Sequence, residues 1–174
     1  PDWTMEFAAQ HPHVQVIGTD LSPIQPEYVP VNCTFYLDDA TRAWAFHQRF
    51  DYVHGRMLTF GIGDWDGFVD QAYTHLQPGG FLELQEWRVP LVTPDGSLRP
   101  QHALARWTAA LIAACTRLGL DIRASADHAD RMRRRGFAGV VERRLGVPVG
   151  PWAKGERQKR LGWMGRRDFL EALD

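Results

Sequence analysis

The chain has 174 residues, 44% of them hydrophobic, and a formal net charge of −1. That suits one domain of ordinary size with a real core, and it gives no overall charge bias toward nucleic acid. The longest apolar runs fall far short of the roughly 20 residues of a membrane span, and no charged leader precedes an apolar stretch, so a cytoplasmic or nuclear protein is expected.

Pro1 rather than Met opens the chain, so the natural amino terminus is expected to lie elsewhere. Cys33 and Cys115 carry no metal spacing and read as reduced, buried thiols. Charge is divided along the chain. Residues 1–99 hold 5 basic and 13 acidic residues, whereas residues 100–174 hold 15 and 8. The basic part includes Arg131, Arg133, Arg134 and Arg135. A nucleic-acid or nuclear-import patch is one reading. A solvated helix face is the other, and it is favoured because no nucleic-acid motif accompanies the charges.

In chain order, Trp3, Phe7 and Ala8 predict an amphipathic helix to Gln10, stopped by His11-Pro12-His13. Val14–Ile17 predicts a short buried strand leading through Gly18 and Thr19 to Asp20. A proline-rich loop covers residues 22–30. Cys33–Leu37 predicts a second strand, ending in Asp38-Asp39-Ala40. Phe50–His54 predicts a third, running into Gly55-Arg56-Met57-Leu58. Apolar residues at 65, 68, 69, 72, 73 and 76 have helical spacing, and Pro78-Gly79-Gly80 ends that helix. Phe81–Trp87 predicts a fourth strand with Glu86 near its end. Helices are expected over residues 103–118 and 126–135, an outer strand over Val140–Leu145, and weak helical character over residues 150–174. Strands alternating with helices predict an α/β fold, with a mostly parallel sheet and helices on both faces.

Acids at the carboxyl ends of strands are where open α/β sheets bind ligands. Asp20 can accept hydrogen bonds from the two hydroxyls of a ribose; alternatively it caps a helix or closes an Asx turn. Asp38 and Asp39 can accept from an exocyclic amine such as adenine's; alternatively they cap a helix after the strand. Trp65 and Trp87 suit an aromatic pocket, but their spacing favours core packing. The histidines show no metal spacing.

Several of these stretches together carry a resemblance. They are Gly18-Thr19-Asp20-Leu21-Ser22-Pro23-Ile24-Gln25-Pro26, Asp38-Asp39-Ala40, Phe50-Asp51-Tyr52-Val53-His54-Gly55-Arg56, and Pro78-Gly79-Gly80 through Glu86. The order resembles the class I S-adenosylmethionine-dependent methyltransferases. More narrowly, it resembles their LaeA-like fungal branch of secondary-metabolism enzymes and regulators, which Pro148-Val149-Gly150-Pro151-Trp152 to Leu161-Gly162 also match. The resemblance implies a Rossmann-like methyltransferase sheet and S-adenosyl-L-methionine as cofactor. It sets Asp20, with Leu21 and Ser22, at the ribose. It sets Asp39 and Ala40, with Asp38, at the adenine edge, and Gly55 and Arg56 near the methionine part. The expected reaction is methyl transfer to a small-molecule, secondary-metabolite acceptor. His54 and Glu86 are titratable candidates at strand ends, and no catalytic residue carries over.

The chain is expected to depart from the family at both ends: the resemblance implies another helix and a strand past Asp174. The family's first motif, a Gly-rich turn after a central strand, has no counterpart here. The domain is therefore expected to be a single truncated one over residues 1–174, incomplete at both ends. A missing central strand leaves unpaired backbone on both flanks, at about 1–3 kcal/mol per buried unsatisfied group. Either the flanking strands pair directly or the chain is a fragment, and the fragment is favoured. Two other functions are weighed. One is a non-catalytic, methyltransferase-like regulator working through protein contacts in a nuclear complex. The other is a nucleotide-sugar or dinucleotide enzyme on the same layered fold, against which the Asp38-Asp39-Ala40 and Pro-Gly-Gly order argues. No membrane or metal is expected, and nucleic acid is disfavoured.

Overall fold

A computed structural model describes residues 2–171. It divides into two compact units, residues 1–140 and 141–174. The first unit holds α1 (Asp2–Gln10), β1 (Val16–Asp20), β2 (Cys33–Leu37), β3 (Phe50–Arg56), α2 (Trp65–His75), β4 (Leu76–Gln85), α3 (Ala103–Arg117), a 3-10 turn (Ala124–Asp127) and α4 (His128–Arg135). The second unit holds α5 (Glu156–Glu171).

The strands pair in parallel, as the alternation with helices predicts. β1 pairs with β2 from Val16↔Cys33 to Asp20↔Leu37. β3 pairs with β4 from Tyr52↔Phe81 to Arg56↔Gln85. Among the described residues no ladder joins β1 to β3, so there are two two-stranded sheets and the flanking strands do not pair directly. α1 covers both. It packs on β1 and β2, and its Trp3 and Phe7 rings stack on His54 and Tyr52 of β3 at 3.8 and 6.2 Å. Asn32 fastens the carboxyl end of this helix. Its buried amide donates to the carbonyls of Ala8, His11 and Val14 at 3.0, 3.1 and 2.7 Å.

α2 forms the centre of the core. Asp64 caps its amino end by accepting from Gly67 N at 2.9 Å. Trp65, Phe68, Val69 and Ala72, at i, i+3, i+4 and i+7, are its buried residues, and each large one contributes about 1.5–3 kcal/mol of burial. Trp44 meets Phe68 edge-on at 5.6 Å. Leu82 and Leu84 of β4 pack against this cluster, as do Met132 and Phe137. Phe81, Glu83 and Gln85 on the other face of β4 are exposed.

α2 ends at His75, before the Leu76 that its spacing reaches and before Pro78-Gly79-Gly80, and β4 begins at Leu76. Pro78 has no amide to donate, and Gly79 takes a φ of +85°. The two give an irregular stretch in which the register shifts between Phe50 and Tyr52. Val140–Leu145 forms no strand; among the described residues no neighbouring strand offers it a ladder. Three of the four arginines of α4 reach acids of α2, while Arg133 pairs with Asp130 on its own helix. Arg131 reaches Asp66 at 3.0 Å, Arg134 reaches the same carboxylate at 3.6 Å, and Arg135 pairs with Asp70 while lying over the Tyr73 ring.

Within the second unit, Gly150 and Gly162 meet. Gly150 N donates to Gly162 O at 2.8 Å, and a Cβ on Gly162 would collide with the Gly150 carbonyl. This close crossing explains glycine at 162, while a φ of +109° explains it at 150.

Candidate functional site

The register of β1 and β2 puts Asp20 and Asp38-Asp39 at one edge. Asp20 pairs with Leu37, and Asp38 N donates to Asp20 O at 3.0 Å, so the ladder runs on past both strand ends. An open depression of ≈ 300 Å³ lies there, lined by Leu21, Leu37, Asp38, Asp39 and Arg42. Asp20 and Ser22 stand at the same edge but do not line it.

Each acid is held by its own neighbours. Asp20 Oδ1 accepts from Ser22 N at 2.9 Å, closing an Asx turn; its other oxygen has no partner among the described residues. Asp38 Oδ1 accepts from Asp39 N at 2.8 Å. Asp39 Oδ1 takes both the hydroxyl and the amide of Thr41, at 2.6 and 2.9 Å, and Arg42 lies 3.4 Å from Oδ2. The two Thr41 bonds, with Arg42 adding its charge, hold the Asp39 carboxyl below the usual carboxylate range. No helix follows it, so this is a turn and not a cap. The edge therefore presents fixed anionic acceptors, suited to hydroxyls and amines. Ala40 differs from its neighbours: its side chain packs against the core.

The edge at β3 and β4 is built differently. Gly55 is buried, and a Cβ there would stand 2.9 Å from Leu84 Cδ2 and 3.0 Å from Leu58 Cδ1. A side chain at this position would have to displace both leucine methyls. Arg56 is exposed at the strand end, opposite Gln85. Glu86 is fully engaged: Oε1 accepts from Leu58 N at 2.9 Å, and Oε2 accepts from Thr59 N at 3.2 Å and Thr59 Oγ1 at 2.5 Å. A carboxylate with three donors is a poor choice for taking a substrate proton.

His54 stacks on Trp3 with an interplanar angle of 16°, and its Nε2 is buried without a partner. Burial pulls its pKa below the ordinary value, with nearby Glu83 opposing. On the same face Tyr52 donates to Glu83 at 2.6 Å and Gln85 donates to Glu83 at 2.7 Å. These two bonds lower the Glu83 carboxyl, while burial first and Glu83 second raise the Tyr52 phenol. Neither Tyr52 nor Glu83 stands out in the sequence; period-two spacing on paired strands was the one signal for them.

Trp65 belongs to the core, as its spacing favours. A second depression, ≈ 420 Å³, follows the seam of α2 and α4, where Asp66 and Asp70 are paired with Arg131, Arg134 and Arg135. It is a helix–helix seam whose charges already answer one another. Among the described residues no group of three His, Cys, Asp or Glu side chains could hold a metal ion, and no helix is long and apolar enough to cross a membrane.

The protein family described as a methyltransferase domain matches residues 2–143. The chain is 35% identical over 173 residues to "Methyltransferase pytC" of Aspergillus terreus, covering 99% of this chain and 53% of that protein. It is 31% identical over 174 residues to "Probable methyltransferase tdiE" of Emericella nidulans, covering 99% and 54%. It is 28% identical over 162 residues to "Secondary metabolism regulator laeA" of Aspergillus fumigatus, covering 91% and 43%. The chain thus spans about half the length of the curated relatives it matches. No solved structure matches it.

Proposed function

Because the chain belongs to the methyltransferase-domain family, we propose that it carries the adenosine-binding half of an S-adenosyl-L-methionine-dependent methyltransferase. The proposed acceptor is a small secondary metabolite, and we take residues 1–174 as parts of one such domain. Relatives matching nearly the whole chain are named methyltransferases, which supports this reading. The observation that carries it is the shared edge of β1 and β2, with Asp20 and Asp38-Asp39 one strand apart.

The residues present fit a nucleoside. Asp20 keeps one carboxylate oxygen for ribose hydroxyls, and Asp38 and Asp39 border the depression with Leu21 and Leu37. Its volume sits at the low end of small-molecule sites, enough for an adenosine. When bound, S-adenosylmethionine supplies a methyl group on a sulfonium that is already a good leaving group. The protein's task is then orientation and exclusion of water. Leu21 and Ser22 would flank the ribose, Ala40 would support the adenine edge from the core side, and Gly55 and Arg56 would lie toward the methionine part. No residue is assigned as base, because Glu86 is saturated and His54 lies beneath Trp3.

Calorimetric titration of the full-length protein with S-adenosylmethionine tests this. Asp20→Ala is expected to weaken binding at least tenfold. Unaltered affinity in both Asp20→Ala and Asp39→Ala would overturn the placement.

A second reading, a regulator acting through protein contacts, draws on the relative named as a secondary-metabolism regulator. Cellular activity surviving Asp20→Ala would favour it.

A further inference from the structure

The depression at the end of β1 and β2 is lined by two exposed leucines, Leu21 and Leu37, by Asp38 and Asp39, and by one cation, Arg42. The place of Arg42 is set from three sides. Its amide donates to Asp39 O at 3.0 Å. Its carbonyl accepts from Gln71 Nε2 of α2 at 2.9 Å, and Gln71 Oε1 in turn accepts from Trp44 N at 2.6 Å. Its Nε lies 3.4 Å from Asp39 Oδ2. The backbone is thus tied to the core helix while the side chain, 81% exposed, stays at the depression. An exposed ion pair of this kind adds little to stability. What it does here is keep the guanidinium at the depression.

The two acids differ in what they have left to give. Asp39 Oδ1 takes both Thr41 bonds, and Oδ2 is turned to Arg42. Asp38 spends Oδ1 on Asp39 N, and its Oδ2 has no partner among the described residues. A carboxylate oxygen accepts from an amine at the edge of a ring, whereas a planar guanidinium stacks on the ring's face. The depression therefore combines an apolar lining, one cationic plane and one free carboxylate oxygen. That set answers a base carrying an exocyclic amine.

We propose that Arg42 holds the adenine of the cofactor by its face, with Asp39 as the positioning residue for Arg42 and Asp38 as the acceptor for the exocyclic amine. The inference rests on the functional reading above and divides the base-holding roles within it.

The test titrates full-length protein calorimetrically with S-adenosylhomocysteine and with S-inosylhomocysteine, in which an oxygen replaces the amine. Arg42→Ala is expected to weaken both about tenfold, and Arg42→Lys, which keeps the charge but not the plane, nearly as much. Asp39→Ala should also weaken both. Combined with Arg42→Ala it should weaken them no further than Arg42→Ala alone, because one residue acts through the other. Asp38→Ala should cost S-adenosylhomocysteine about tenfold without weakening S-inosylhomocysteine. The unfolding midpoint of Arg42→Ala should match wild type, which separates lost affinity from lost fold. Arg42→Ala binding S-adenosylhomocysteine within twofold of wild type overturns the inference. So does full affinity in Arg42→Lys, or an Asp38→Ala variant that weakens both ligands equally. Failure of wild type to bind S-adenosylhomocysteine overturns the functional reading instead, and the inference with it.

Discussion

The two strand pairs end in opposite ways. At β1 and β2 the polar groups are fixed by residues one to three positions away: Ser22 on Asp20, Asp39 on Asp38, Thr41 and Arg42 on Asp39. At β3 and β4 they are fixed across the chain: Glu86 on Leu58 and Thr59, Tyr52 on Glu83. A locally built edge can change without disturbing the core. An edge stitched from distant residues cannot, because its hydrogen bonds and the packing beneath it are the same structure.

Substitutions should separate the two. The largest effect is expected from Phe68→Ala beneath β3 and β4. Phe68 is buried between Trp44 and Trp65, and removing such a ring costs about 3–5 kcal/mol, measurable as a shift in urea unfolding midpoint. Glu86→Ala comes next. It strands two backbone amides and a hydroxyl in a partly buried loop, at about 2–3 kcal/mol, again by urea unfolding. A cost as small as that of a surface residue would refute the hold of Glu86 on Leu58 and Thr59.

Acid titration sharpens the same contrast. His128 packs against Trp65 at 4.3 Å, and burial first, with Arg131 second, pushes its pKa down from the ordinary 6.5 to about 4. As pH falls, the unfolded chain takes up this proton first. The stabilisation is therefore complete above pH 6.5 and drains away between 6.5 and about 4. Melting measured across that window should show the decline, and His128→Phe should flatten it. The smallest effect on stability is expected from Asp20→Ala, whose unfolding midpoint should match wild type while cofactor affinity falls.

The contrast also explains what the sequence disclosed. Cys33–Leu37 and α2 were legible because their signals are periodic and local. The acids after β1 and β2 were legible for the same reason, with the turn residues that hold them adjacent in the chain. Glu86 was legible as an acid at a strand end but not in its role, since its partners lie 27 and 28 residues away. Asn32 gave no sign of joining three carbonyls of the preceding helix and loop. Val140–Leu145 has strand-like composition, and composition cannot say whether a neighbour waits to pair.

The meeting of α2 and α4 carries one more consequence. The segregation of negative and positive residues along the polypeptide looks like an ionic glue, yet Asp66 is 69% exposed on its side chain and Arg134 62%. Exposed ion pairs of this kind contribute about 0–1 kcal/mol. What mainly seats α4 is apolar packing, through Met132, Phe137 and the tilted His128–Trp65 contact, with Arg131, 12% exposed, the one arginine held largely out of water. Concentrated sodium chloride should therefore leave this helix docked, its arginines serving to choose an orientation rather than to supply adhesion.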